Sequence, residues 1–445
     1  MRLLFAALFL LCLLPLPAHA DQQWLAVSDI HLNPFDRTPY PSWYHEDTNW
    51  PLFESALAQM RHAVPNPRVV FVTGDFLAHK WSDKVHAANA SLTAQAAAID
   101  TMARMERAFA RTFPKAQFVI VLGNNDDPCG DYRTAPGSPY FVRLAQMWAP
   151  LVNRGGASPD FVRDFTFAGA YSASLPVRSV RAVAIDDVFW SFLYTPCSRT
   201  AADPSAAQMR FLKRSLDALS PGRRSIVVMH IPPGVDPTGT LLARRFLIVP
   251  FLRDRAMNAL LEVFAQKRAS IAFAIAGHVH RNDFRLPGGV PLLVTPALSP
   301  VYSNNPGFLR LQIAPDGTLR DYTQYSYDEE AQSWTASADL NRTFGVRQFT
   351  AQALSALHDR IAADPATRSA WADATVGGSP HRDAGPSTWR VFWCAQALFG
   401  QPYVRCAGAQ NRVALLPVAA GLIIAAAAIG FIILVLRLAR QREPV

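Results

Sequence analysis

Lysine is scarce in this chain. It stands at positions 80, 84, 115, 213 and 267 only, so nearly all of the 43 basic residues are arginine. They never gather into a basic run, which excludes a nucleic-acid partner of that type. Cysteine is scarce too, with five in 445 residues, and one of these (Cys12) falls in the apolar leader. No internal repeat is apparent, which removes repeat architectures. What abounds is apolar: half of the residues are hydrophobic, which excludes a disordered chain. The length suffices for one large or two medium domains.

Long apolar runs are confined to the two ends. Residues 1–20 combine Arg2, an apolar stretch over 3–14 and Ala18-His19-Ala20. That is the pattern of a secretory signal with an A-x-A cleavage site. An N-terminal anchor would need a longer run. Residues 413–436 hold no charge. At 1.5 Å per residue they would reach roughly 36 Å, enough to span a bilayer with some tilt. Arg437, Arg440 and Arg442 follow, so the positive-inside rule places the tail 437–445 in the cytoplasm and the body outside. An arginine-rich, lysine-poor composition suggests a GC-rich bacterial source. The expectation is a single-pass inner-membrane protein with a periplasmic catalytic body. Trimmed of both ends, that body carries about +6, which suits anionic substrates or anionic lipid surfaces.

Four cysteines remain after cleavage: Cys129, Cys197, Cys394 and Cys406. An even number in an exported chain suggests two disulfides, with three possible pairings. Cys394 and Cys406 close a local loop, which leaves Cys129 for Cys197.

Six short apolar runs organise the chain: 24–27, 69–72, 118–122, 181–185, 225–229 and 270–275. Their β-branched content and their Gly and Pro punctuation predict strands buried on both faces. Helical spacing appears over 52–63, 86–113 and 254–267, and Asp203-Pro204 opens a further helix. Residues 165–175 read as a strand or hairpin. Past residue 345 the strands stop, and helices are expected near 348–362, 364–373 and 388–399. The expected fold is α/β: sheets covered by helices in a body over 21–345, a helical subdomain over 346–411, then the transmembrane helix.

Chemistry follows the strand ends. After "WLAV" come Asp29 and His31, two apart; in an extended segment both would face one side. After "VVFV" comes Asp75, and after "FVIVL" the stretch Gly123-Asn124-Asn125-Asp126. His230 follows "SIVVM", and His278 and His280 follow "SIAFAI". Taken singly, each is ordinary turn chemistry. Jointly, five strand ends supply carboxylate, imidazole and amide, and no thiolate. Strand carboxyl ends in an α/β sheet share one edge. Seven such donors exceed one tetrahedral zinc ion and suit two metals that share a carboxylate.

The series Asp29-x-His31, Gly74-Asp75, Gly123-Asn124-Asn125-Asp126, His230 and Gly277-His278-Val279-His280 resembles the calcineurin-like metallophosphoesterases. The resemblance implies a layered metallophosphoesterase fold and two divalent ions, zinc, iron or manganese. It assigns Asp29, His31, Asp75 and His280 to one ion, and Asp75, Asn124, His230 and His278 to the other. It implies in-line attack by a metal-bridging hydroxide on a phosphodiester or phosphoanhydride. "TGDFLAHKW" (73–81), "HIPPG" (230–234) and "TPALSPVYSNNPGF" (295–308) are similar to the acid-sphingomyelinase-like branch over roughly 22–410. The C-terminal helices with their cysteine pair also fit that branch.

Asn125 departs from the family pattern. Many relatives have histidine there, near the leaving group, and asparagine cannot be a general acid. Either His79 supplies the proton, or the leaving group needs none. The G-N-N-D variant resembles endopolyphosphatases, which points toward phosphoanhydrides such as polyphosphate; the rest of the chain keeps a sphingomyelinase-type lipid phosphodiesterase in view. Asp126 is expected to orient Asn124 or a ligand histidine. The aromatic loop 35–50 is expected to wall the substrate pocket. A non-catalytic binding module that kept the fold would be expected to have lost ligands, and all seven are present.

Overall fold

Each of the six short apolar runs forms a strand in the computed structural model, which describes residues 21–408 apart from 178, 198–202 and 244–246. In chain order the sheet strands begin with β1 (Gln22–Val27), β2 (Val69–Val72) and β3 (Gln117–Ile120). Next come β4 (Tyr171–Ser174), β5 (Val180–Ala184), β6 (Arg224–Val228) and β7 (Ile271–Ala276). β8 (Asp283–Arg285), β9 (Leu292–Val294), β10 (Gly307–Ile313), β11 (Leu319–Asp328) and β12 (Ser333–Asp339) complete them.

They make two six-stranded sheets, ordered β12-β11-β10-β1-β2-β3 and β8-β9-β7-β6-β5-β4. β1, β2 and β3 run parallel, as do β9, β7, β6 and β5. Parallel strands are covered on both faces, and β2, β3 and β7 are buried along their whole length. The flanking strands pair antiparallel. Buried side chains from both sheets, among them Phe71, Phe118, Val227 and Ile275, form one hydrophobic cluster. Leu354, Leu357 and Ile361 of the helix Ala351–Ala363 join it. Three further helices follow, Pro365–Thr375, Trp389–Ala397 and Gln401–Ala407, in the region expected to be helical. Disulfides join Cys129 to Cys197 and Cys394 to Cys406, as expected.

Two expectations need correction. The helix expected over 86–113 is two helices, Trp81–Ala88 and Ala94–Thr112. Asn89 ends the first, and the Thr93 side chain caps the second by accepting from Ala96 N at 3.2 Å. Its apolar face, Met102, Met105 and Phe109, is buried. The strand expected over 165–175 begins as a helix, Phe161–Ala168, because Phe161 and Phe165 lie one turn apart and both reach the core. Gly169, at φ 63°, ends that helix and lets β4 begin.

The expected signal segment 1–20, membrane span 413–436 and tail 437–445 lie outside the described residues. No helix among the described residues is long and apolar enough to cross a membrane.

Candidate metal centre

Five strands end at one place. β1 delivers Asp29 and His31, β2 Asp75, β3 Asn124, β6 His230, and β7 His278 and His280. All but His278 are buried, and His278 is partly exposed.

The backbone that presents them is not extended, as the spacing of Asp29 and His31 had suggested. Asp29, His31, Asp75, His278 and His280 have φ of 48°, 44°, 56°, 71° and 54°. Left-handed backbone at a non-glycine residue costs about 1–3 kcal/mol and persists only where the surroundings enforce it. Here Asp29 N donates to Gly74 O at 2.9 Å and His31 N to Asp75 O at 2.8 Å. His278 N donates to the Asp29 carboxylate at 2.9 Å. The glycines of the motifs are required by close approach. A Cβ on Gly123 would stand 2.1 Å from Asp75 Oδ1, and one on Gly277 1.9 Å from Ser28 Oγ.

The donor atoms form two sets that meet at Asp75. On one side His31 Nε2 lies 3.3 Å from Asp75 Oδ2 and 3.1 Å from His280 Nε2. His280 Nε2 is 3.5 Å from Asp29 Oδ1. On the other side His230 Nε2 lies 3.5 Å from Asp75 Oδ2, 3.0 Å from Asn124 Oδ1 and 3.3 Å from His278 Nδ1. Within the groups Asp29–His31–Asp75 and Asp75–His230–His278, the ligand atoms all fall within 4.8 Å of one another.

This arrangement fits divalent cations. Backbone carbonyls take the other ring nitrogens: His31 Nδ1 faces Leu77 O at 3.1 Å and His230 Nδ1 faces Thr73 O at 2.7 Å. That contact aims Nε2 of each ring into the site. Burial holds His31 down to about 4 and His278 to about 3, and drives His280 well below the ordinary imidazole value. All three are therefore neutral donors. Burial would raise Asp75, but the charge and hydrogen bond of His230 hold it well below the usual carboxylate range. Burial would also depress His230, yet the Asp75 charge and hydrogen bond, with Asp29, pull it up to about 10. The clustered carboxylates thus draw positive charge to this spot.

Surrounding groups hold the donors in place. Asp131 Oδ1 accepts from Asn124 Nδ2 at 2.8 Å, which leaves Oδ1 of Asn124 toward His230. The sequence had given Asp126 the task of orienting Asn124 or a ligand histidine. Asp126 instead accepts from the backbone amides of Asp75 (2.9 Å), Phe76 (2.6 Å), Leu77 (3.1 Å) and Gly123 (2.8 Å). It fastens the loop after β2 to the loop after β3. Asp187 accepts from the amides of His230 and Ile231, both at 3.0 Å.

The two residues expected near the leaving group have separate partners. Asn125 donates to Asp75 twice, from N at 2.8 Å and from Nδ2 at 2.9 Å. Its amide thus steadies the shared carboxylate. The His79 ring stacks on His31 with centroids 3.9 Å apart, and its Nδ1 lies 2.7 Å from Asp47 Oδ1. Lys84 Nζ reaches the other oxygen of Asp47 at 3.2 Å. Burial opposes charge on His79, but the hydrogen bond and charge of Asp47 outweigh it and raise the imidazole above its ordinary value.

Two cavities adjoin the cluster. One of about 470 Å³ includes His278, Tyr132 and Tyr302 in its wall, with His45 from the aromatic loop. Another of about 420 Å³ is bounded by His79, Asn125 and Asp131. Asp47, Asp131, Tyr132 and Tyr302 carry no sequence signal that singles them out. Asp47 lies inside the loop 35–50 expected as a pocket wall, and Tyr302 inside the segment 295–308. Tyr132 places its hydroxyl 3.2 Å from His278 Nε2, and Tyr302 its own 3.5 Å from His79 Nε2.

Comparison with known proteins agrees with this geometry. A family model for calcineurin-like phosphoesterases matches residues 24–282, which include every donor named above. Acid sphingomyelinase-like phosphodiesterase 3b of Homo sapiens is 25% identical over 348 residues, 72% of this chain and 71% of that one. Cyclic GMP-AMP phosphodiesterase of Rattus norvegicus is 25% identical over 286 residues, 59% of this chain and 61% of that one. Sphingomyelinase phosphodiesterase C of Dictyostelium discoideum is 26% identical over 290 residues, 60% and 59%. Divalent metals are the cofactors of this family, and the His and Asp groups above are the candidate ligands. The chain belongs to the calcineurin-like phosphoesterase family, on its acid sphingomyelinase-like branch, and is a phosphate ester hydrolase.

Proposed function

We propose that this chain is a dinuclear phosphohydrolase that works outside the cytoplasmic membrane on phosphodiester or phosphoanhydride bonds. The observation that carries the reading is the meeting of two donor sets at Asp75. Asp29, His31 and His280 join Asp75 around one ion; Asn124, His230 and His278 join it around the other. Two divalent ions, zinc, iron or manganese by ligand chemistry, supply when bound the charge that activates water and offsets the phosphoryl oxygens.

The protein's own residues do the rest. Asn125 steadies Asp75. His79 carries the proton for the departing oxygen, with Asp47 as the carboxylate that keeps it protonated. Anhydrides leave readily and depend less on that proton; alcohols depend on it more. The cavities on the His278 side and on the His79 side suit a phosphorus with a substituent each way. In this reading residues 21–345 are the catalytic body and 346–411 a helical subdomain. Residues 413–436 anchor it in the inner membrane, with the body in the periplasm. The names of two relatives favour a second reading, a sphingomyelinase-type lipid phosphodiesterase.

A substrate panel tests both readings. The metal-reconstituted full-length chain is assayed on polyphosphate, a nucleoside triphosphate, bis-p-nitrophenyl phosphate and sphingomyelin. Turnover of the first three, lost on chelation and restored by metal, is the expected result. A strong preference for sphingomyelin would establish the second reading instead, and hydrolysis of none would refute both.

The proton donor has its own signature. His79 stays charged above the ordinary imidazole value, so the rate is expected to fall as pH rises through that elevated pKa. Asp47→Asn removes the group that raises it, and burial then acts unopposed. The descending limb of kcat against pH should move to lower pH, with roughly tenfold lower kcat at pH 7 on alcohol leaving groups. p-Nitrophenolate, a better leaving group, should lose less. An unmoved limb with equal losses on both substrates would rule out His79 as the donor.

A further inference from the structure

We propose that the Cys129–Cys197 disulfide is a reversible modification site: a dithiol reductant opens it, and opening it loosens one of the two metal ions. The inference rests on the dinuclear reading and gives one half of that centre a redox control.

The loop after β3 carries Asn124 and two residues that support the same side of the centre. Asp131 accepts from Asn124 Nδ2 at 2.8 Å, and the Tyr132 hydroxyl lies 3.2 Å from His278 Nε2. The two halves of this loop are held differently. Asp126 fastens the front half from inside through four backbone amides, and Tyr140 donates to Asp126 O at 2.7 Å. The rear half, 128–133, bonds mostly within the loop: Gly130 N donates to Asp127 O, Tyr132 N to Asn124 O and Arg133 N to Gly130 O. Apart from Ser82 Oγ to Pro128 O at 3.3 Å, its backbone is tied to segment 195–197. Thr195 N donates to Tyr132 O at 3.0 Å, and the two-residue strands Arg133–Thr134 and Thr195–Pro196 pair in parallel. A two-stranded pair is marginal by itself in water. The covalent bridge is what makes this contact firm. Its far side is fastened in turn, because Phe192 N donates to Phe251 O at 3.0 Å.

The bridge is also reachable. Cys129 and Cys197 are both partly exposed, and Cys129 lines the 420 Å³ cavity. In the other bridge Cys394 is fully buried. Thiol–disulfide exchange needs access to one sulfur. A thiolate of the dithiol attacks that sulfur and forms a mixed disulfide. The second thiol of the reductant then closes on the first and releases the protein. Two electrons and two hydrogens pass to the protein, which gains two thiols, and the dithiol becomes a disulfide. Asp131 then no longer holds the Asn124 amide in place, and Tyr132 no longer steadies His278. Asp29, His31 and His280 keep their own supports, because their amides and rings are tied to other loops. Loss of supporting partners of this kind lowers metal affinity roughly 10–100-fold.

The test titrates manganese, which suits imidazole and carboxylate better than thiolate, into the metal-free full-length chain. The oxidised wild type is expected to take two ions. The wild type reduced by a dithiol and desalted should bind one ion roughly 10–100-fold more weakly and the other within about twofold. Cys129→Ser combined with Cys197→Ser should match it without any reductant. Reoxidation should restore the reduced wild type, which separates the effect from poor folding of the serine variant. Alkylation followed by mass analysis should label Cys129 and Cys197 before Cys394 and Cys406. Two ions bound as before after opening, equal weakening of both, or earlier opening of Cys394–Cys406 would overturn the proposal. An oxidised wild type that never holds two ions would bring down the dinuclear reading itself, and this inference with it.

Discussion

Asp75→Asn is expected to lower turnover of bis-p-nitrophenyl phosphate at least about a thousandfold, with metal content below two ions per chain. Asp75 is the one carboxylate that both donor sets reach, at 3.3 Å from His31 and 3.5 Å from His230. Asparagine matches its shape but loses the charge. It also turns one oxygen into a donor facing the Asn125 amides, which already donate to both carboxylate oxygens. The loss should therefore appear in kcat and in elemental analysis together. Wild-type turnover with full metal content would exclude a shared Asp75.

The largest effect on stability is expected at Asp126. Its carboxylate is fully buried and accepts four backbone amides, from residues 75, 76, 77 and 123. Asp126→Ala leaves those donors without an acceptor, and the void beside them is too enclosed to be neutral. A loss of about 3–5 kcal/mol is expected, read as a fall in urea midpoint at unchanged slope. Because those amides shape the loop that presents Asp75, metal affinity should fall with stability. A change within about 0.5 kcal/mol would show that the loop holds itself without Asp126.

Strand existence was legible because β2, β3 and β7 lie in parallel sheets covered on both faces, and such burial leaves an unbroken apolar run. β10, β11 and β12 escaped for the opposite reason. They form an antiparallel meander with partly exposed residues, so runs such as Arg310, Gln312 and Asp321 dilute the apolar signal. The helix 161–168 escaped because two aromatic residues one turn apart look the same in a short strand and a short helix.

The candidate ligands were legible for a different reason. Asp29, His31, Asp75, Asn124, His230, His278 and His280 each stand directly after an apolar run, and strand ends share an edge. By itself the sequence determined the residue types at that edge, imidazole, carboxylate and amide, which are donors that divalent ions take, and their order along the chain carried the resemblance that implied the hydrolytic class. Tertiary structure alone decided how they are aimed. The left-handed backbone stands at five of the seven positions, and at four of them, Asp29, His31, Asp75 and His278, the amide is tied to a neighbouring loop, which no local propensity encodes. Tertiary structure also decided who supports whom. Asp47 reaches His79 from 32 residues away, and Asp126 spans 51 residues to Asp75. Such partnerships depend on the packing of two sheets, and a buried carboxylate reads in sequence like any turn aspartate.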